Sequence, residues 1–411
     1  MGIFDKCSAF TEARQAQAQG IYPYFVPMEA TTPTRARVAG KWKLMMGSNA
    51  YLGLTHHPRV VEAAQRAMAE FGGGSTGSRL LNGNSVAIEA LEEELADFLG
   101  KPAAAVFPTG YSANVGTVSA LAGRGDHLFL DRGNHASLTD GARLALAQVH
   151  RYPHGDMAAL GALLQREQAG ENALVVTDGV FSMDGTVVDL PALLGETAPR
   201  GATVMVDDAH GLGVLGSTGA GTAEHFGLTD QVDVIVATFS KSLGSIGGVA
   251  AGEVEVMHYL KHRARSLLFS ASMPPASVAG VRAALSVLRS EPDLRERLQD
   301  NARWLRNALE GEGLSVGGAD TPILPIFVGD YQRVLRFWRA LFDRGAYVNA
   351  VVPPGVPATS SRLRVSVTAA HTREELERFV ELVCEVQAAL PPTMGERSRK
   401  DPQPPASVPV L

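Results

Sequence analysis

Cysteine is nearly missing: Cys7 and Cys384 are the only two among 411 residues. That excludes a disulfide framework and a cysteine-built zinc site, and it points to a reducing compartment. Long apolar runs are missing too, since no stretch approaches the ~18 consecutive apolar residues of a membrane span. Charge of one sign is not in excess. Lys+Arg 37 against Asp+Glu 43 leaves −6, too mild for a nucleic-acid surface or an anionic-membrane surface. The first residues, MGIFDKCSAFTEARQ, carry acids and hold no apolar core of signal-peptide length, so a cytoplasmic protein is expected. What is present is an ordinary globular composition, 45% apolar and 19% charged. Its length gives a prior of two to three domains. Glycine is plentiful at 43 residues, above the usual ~7% of a chain, and it gathers where strands give way to helices.

From about residue 86 the chain alternates apolar strands with amphipathic helices. Leu91, Leu95, Phe98 and Leu99 recur at helical spacing, while AAAVF, HLFLD, ALVVTDGV, TVMVDDAH and DVIVATFS read as short buried strands. Continuous apolar strands between helices predict a parallel sheet covered on both faces, with its ligand site beyond the strands' carboxyl ends. Pro274 and Pro275 suit the first turn of a long helical stretch. After it PILPIFVG, AYVNAVVPP and SRLRVSVT read as strands and REELERFVELVCEVQAAL as a closing helix, an α+β arrangement. The expected division is an N-terminal helix and strand segment at 1–45, a large domain at 46–278, a small α+β domain at 279–392 and a disordered Pro-rich tail at 393–411. No internal repeat is visible.

Several chemistry-bearing residues fall at that one rim of the sheet. Lys241, in ATFSKSLGSIGG, follows a buried strand among Ser and Gly. A loop lysine is most often only a solvated charge, but small neighbours leave room for a flat ligand, and Thr238, Ser240 and adjacent amides could hold a phosphate. Partial desolvation also favours the neutral amine that Schiff-base chemistry requires. Asp207, in TVMVDDAHG, ends another strand and reads either as a helix cap or as a carboxylate opposite a pyridinium nitrogen. His210 follows three residues on and could reach the same ring, or be a satisfied core histidine. Gly110 and Tyr111, in PTGYSANVG, open a helix whose amides suit an anion, a weak signal by itself. His135, in DRGNHASLTDG, could lay its imidazole over a flat cofactor or sit in solvent. Together the set suits pyridoxal 5′-phosphate. No metal-ligand pattern is present.

The segments SNAYLGLTHHPRV, PTGYSANVGTVSAL, NHASLTDG, DGVFSMDG, VDDAHGLGVLG, TFSKSLGSIGG and RLRVSVTAAHT, in this order, resemble the α-oxoamine synthases from about Pro23 to Leu390. These are fold-type I pyridoxal-phosphate enzymes that join an amino acid to an acyl-thioester with loss of CO2. Within them GSRLLNG, FSASMPP and YVNAVVPPGVP resemble the soluble bacterial serine palmitoyltransferase branch. The segment Ala50-Tyr51-Leu52-Gly53 is closer to the 8-amino-7-oxononanoate synthase pattern than to the Asn-Tyr-Met-Gly of that branch. The resemblance implies an α/β, aminotransferase-like fold with a mostly parallel seven-stranded sheet and a smaller C-terminal α+β domain. It implies that Lys241 attaches the cofactor and works as base and acid at Cα. Asp207 would pair with the pyridine nitrogen, His210 with the phenolic oxygen, and His135 would stack on the ring. Gly110, Tyr111, Thr238 and Ser240 would flank the phosphate, Ser182 would face the cofactor, and Ser270 would come from a partner subunit. Arg364 would hold the amino-acid carboxylate, with Asn49 and Tyr51 near the substrates, while Arg362 is set aside.

The implied reaction gives 3-ketodihydrosphingosine, CoA and CO2 from L-serine and a long-chain acyl-CoA, in a homodimer with a shared site. An acyl carrier protein in place of CoA, or alanine or glycine with another acyl group, stays open. A transaminase would need no acyl-thioester. A DNA-binding regulator on this fold would need a basic helix-turn-helix extension, and the ~45 residues before SNAYLG do not supply one.

Overall fold

The computed structural model describes residues 2–353 and 355–390, so the predicted tail at 393–411 lies outside the described residues. The chain divides into two compact units, Asn49–Gln299 and a second that joins the residues through Ser48 to those from Asp300 onward.

The Asn49–Gln299 unit is built on seven strands: β1 (Ala103–Phe107), β2 (His127–Asp131), β3 (Gln148–Tyr152), β4 (Ala173–Asp178), β5 (Thr203–Asp207), β6 (Val234–Thr238) and β7 (Gly248–Gly252). Their spatial order is β1-β7-β6-β5-β4-β2-β3, and only β7 runs antiparallel to its neighbours. The mostly parallel seven-stranded sheet of a fold-type I aminotransferase is therefore present. Every residue of β4, β6 and β7 is buried, which is why these strands read as continuous small or apolar runs rather than alternating, with polar residues only at the carboxyl ends of β4 and β6. Edge strand β3 (QVHRY) is half exposed, and its polar residues hid it from the apolar-run reading. Strand β7 (GVAAG) hid for another reason. A Cβ at Gly248 would stand 2.7 Å from the Gly110 Cα, so this strand is kept small where helix Gly110–Leu121 crosses it.

The other unit holds two four-stranded sheets. One pairs Ala30–Thr31, Arg35–Val38, Lys41–Met45 and Ala346–Tyr347; the other, antiparallel throughout, pairs Ser315–Val316, Ile323–Phe327, Arg362–Ser366 and Asn349–Val351. The run AYVNAVV is thus split between two sheets at Val348.

Two expected boundaries move. The segment 1–45 is no unit of its own, because Val38, Leu44 and Met46 share a core with Leu324, Trp338 and Phe379. The large unit runs on to Gln299 rather than 278, because helix Pro275–Ser290 packs along helix Pro58–Phe71. Pro275 occupies the first turn of that helix as expected, and the long helical stretch breaks before Asp293, at Glu291-Pro292.

Candidate active site

Asp178, Asp207 and Thr238 end β4, β5 and β6, and helix Gly110–Leu121 begins three residues after β1, so four chain segments deliver polar groups to one rim. There they enclose a cavity of about 370 Å³, within the range of small-ligand sites. Gly110, Tyr111, His135, Ser182, Asp207, His210, Thr238, Ser240 and Lys241 all line it. So do Thr109, Asn114, Ser137 and Asp178, which sequence reading had not singled out.

One side of the cavity suits an anion. Thr109 caps the helix: its Oγ1 accepts from the Ser112 N–H at 3.0 Å, and the Ser112 hydroxyl accepts from the Thr109 N–H at 3.0 Å. That box satisfies the third amide of the helix and leaves those of Gly110 and Tyr111 on the cavity wall. Glycine is required at 110, since a Cβ there would lie 2.5 Å from the Thr238 Cβ. The Thr238 and Ser240 hydroxyls, 2.9 Å apart, complete this side.

Another part of the lining is acidic and buried. Asp207 Oδ2 accepts from Asn114 Nδ2 at 2.6 Å and Oδ1 from the Ala209 N–H at 3.1 Å. Asp178 is paired with Asp207 across β4 and β5, and its Oδ1 accepts from the His135 N–H at 3.2 Å. Burial, followed by the charge of Asp207, raises the Asp178 pKa well above the ordinary aspartate range. Burial lowers the His135 pKa; Asp207 opposes that shift and Lys241 adds to it. His210 Nδ1 lies 2.6 Å from the Tyr51 hydroxyl, and Tyr51 is fully buried. Tyr51 and its neighbour Asn49, 3.4 Å from that hydroxyl, therefore meet the site through His210 rather than as cavity wall.

Ser270 lies outside the cavity lining. Arg364 belongs to the other unit, on strand Arg362–Ser366, where its Nη1 donates to the Ser366 Oγ at 2.8 Å. It is buried, not solvent-facing, as is Arg362, whose Nε donates to the Ser360 carbonyl at 2.7 Å with the guanidinium 5.1 Å over Phe327. Asn114 stands mid-helix, where a buried amide needs a partner, but its neighbours in the chain give no sign that it is buried or what it meets.

These groups fit pyridoxal phosphate on their own chemistry. A helix N-terminus with two hydroxyls suits a dianionic phosphate. A buried carboxylate suits a protonated ring nitrogen, and a lysine in the same cavity suits an aldehyde. Asn114 Oδ1 is buried without a hydrogen-bond partner, as expected of a wall built around a polar ligand. The class this sheet and cavity define is the fold-type I pyridoxal-phosphate enzymes.

The family model for aminotransferase class I and II matches residues 41–383. The chain is 45% identical over 384 residues to a serine palmitoyltransferase of Sphingobacterium spiritivorum, covering 93% of this chain and 96% of the relative. It is also 45% identical over 383 residues to an 8-amino-7-oxononanoate synthase of Methylococcus capsulatus, covering 93% and 98%. Among solved structures, a serine palmitoyltransferase from S. paucimobilis with a bound PLP–myriocin aldimine superposes with a TM-score of 0.91 at 34% identity, over 95% of this chain and 99% of that one. The chain belongs to the aminotransferase class I and II family and, within it, to the α-oxoamine synthases, acyltransferases that depend on pyridoxal phosphate.

Proposed function

We propose that this protein condenses L-serine with a long-chain acyl-CoA, forming a C–C bond between serine Cα and the acyl carbon, releasing CoA and CO2, and giving 3-ketodihydrosphingosine. One observation carries the reading: Lys241, Asp207, His135 and His210 meet in a single cavity with an anion cradle, in a chain 45% identical to a serine palmitoyltransferase over 93% of its length.

When bound, pyridoxal phosphate supplies an electron-poor ring that takes up the charge left at Cα. Gly110 and Tyr111 amides with Thr238 and Ser240 hydroxyls hold its phosphate. Asp207, kept in place by Asn114 and the Ala209 amide, keeps the ring nitrogen protonated. Lys241 would hold the cofactor through Nζ and, once the amino acid has taken its place, would carry the proton to and from Cα. His210, fixed by Tyr51, donates to the phenolic oxygen. His135 would cover the ring, Ser182 would face it, and Asn49 would lie near the substrates, behind Tyr51. Arg364 grips the amino-acid carboxylate as a charge-assisted pair. The protein works as a cytoplasmic homodimer in which Ser270 enters the partner's site. The N-terminal helices Asp5–Ala9 and Glu12–Ala18, which bury no residue against their own chain, supply surface for that contact. Among the described residues no helix is long and apolar enough to cross a membrane.

A second reading, alanine with another acyl-thioester, is favoured by Ala50 and by the equal identity to the 8-amino-7-oxononanoate synthase. Thiol release and product mass over a grid of serine, alanine and glycine against acyl-CoA lengths separate the two. Serine with C14–C18 donors should win; a preference for alanine or glycine with short donors overturns the lead reading.

A further inference from the structure

Asn114 and Ser137 are almost wholly buried between helix Gly110–Leu121 and helix Ala136–Leu144, and none of the roles above uses Ser137. They link Asp207 to His135. Asn114 Nδ2 stands 2.6 Å from Asp207 Oδ2 and 2.9 Å from Ser137 Oγ. Ser137 Oγ stands 2.7 Å from His135 Nδ1, and the Ser137 backbone N–H points at the same nitrogen at 3.3 Å.

Donor counting fixes every proton in this chain. A carboxylate oxygen accepts, so the amide nitrogen of Asn114, not its oxygen, faces Asp207. The second amide hydrogen then faces Ser137, whose hydroxyl accepts it. The hydroxyl has one proton of its own, and His135 Nδ1 is the acceptor within reach. The backbone N–H of Ser137 can only donate. His135 Nδ1 therefore accepts from two directions and cannot itself carry a proton.

We propose that Asn114 and Ser137 are positioning residues that hold His135 as a neutral imidazole with its proton on Nε2, so that it presents a hydrogen-bond donor to the cavity rather than a base. Forming the imidazolium would place a proton on Nδ1 against two donors, which adds to the downward shift that burial already gives this ring. The histidine shelters no catalytic base, and proton transfer at Cα is left to Lys241. That last consequence rests on the function proposed above; the tautomer does not.

Nitrogen-15 NMR of the histidine-labelled holo protein tests it, with His135→Gln identifying the signal. The wild-type spectrum is expected to show an unprotonated Nδ1 and a protonated Nε2 from pH 6 to 8. Ser137→Ala removes one donor and should raise the His135 pKa by about 0.4–1 unit, the equivalent of one hydrogen bond. The acid limb of the kcat/KM profile should move up with it while the KM for amino acid at pH 8 changes little. A protonated Nδ1 in the wild type overturns the proposal even if Ser137→Ala fails to fold, and so does a folded Ser137→Ala with an unmoved His135 pKa. Loss of the condensation assay alone, with the tautomer as expected, counts against the proposed reaction and not against this network.

Discussion

Asp207 and Asp208 leave β5 one after the other and enter opposite surroundings. Asp207 faces the cavity, with one side-chain amide and one backbone N–H on its oxygens. Asp208 faces away into a closed cradle, where Oδ1 accepts from the Thr222 hydroxyl at 2.6 Å and Oδ2 from the Thr222 N–H at 2.5 Å. Gly211 and Gly221 press against it so closely that a Cβ at either would stand 1.9 Å from a carboxylate oxygen. Burial pushes the Asp208 pKa up to about 6, although the Thr222 hydrogen bonds pull the other way. The alternation of a strand has sent one carboxylate to chemistry and the next to architecture. Asp207 should therefore govern turnover and Asp208 stability.

The sharpest break between them is kinetic. Asp207→Ala should lower kcat by about 10²–10³-fold, the scale of one preorganised electrostatic group, with little change in Tm. Asp208→Ala should do the reverse. Two buried Thr222 donors lose their acceptor and a void opens, so denaturant unfolding should show a loss of about 3–5 kcal/mol while the folded fraction keeps its kcat. If both variants lose activity and stability alike, the division fails.

The smallest effect is a pH dependence. Asp208 binds its proton more tightly in the folded state, about 6 against 3.8, so the native protein holds more protons than the unfolded chain between those values. Stability contributed by this group is full below about pH 4 and is lost as pH rises through 6. The loss should total about 2–3 kcal/mol. The stability difference between wild type and the near-isosteric Asp208→Asn should shrink by that amount across the window. A difference that is flat with pH removes the raised pKa from the account.

The two aspartates also mark how much the sequence could say. Strand ends are legible, because an apolar run that stops at a polar residue announces where the rim lies. Lys241, Asp207, Thr238 and His135 were found that way, and the family resemblance then gave them roles. Which of two adjacent aspartates faces the cavity is not a matter of runs; it depends on how β4, β5 and β6 stack in register. Asn114, Ser137 and Asp178 stayed hidden because each stands among small or apolar neighbours and is tied into the site by partners 23 to 93 residues away. Strand β7 was missed because the close approach of Gly110 leaves it mostly glycine and alanine, with Val249 its one β-branched residue. The boundary at Gln299 falls inside helix Asp293–Gly311, and an amphipathic pattern carries no sign of which unit it packs on.

The proposed chemistry rests on attachment of the cofactor through Lys241 Nζ. The direct measurement is borohydride reduction of the protein loaded with pyridoxal phosphate, followed by peptide mapping by mass. A single pyridoxyl adduct on the peptide carrying Lys241, abolished in Lys241→Ala while the variant stays folded, is the predicted result. Colourless protein with no adduct, or labelling that persists unchanged in Lys241→Ala, would contradict it.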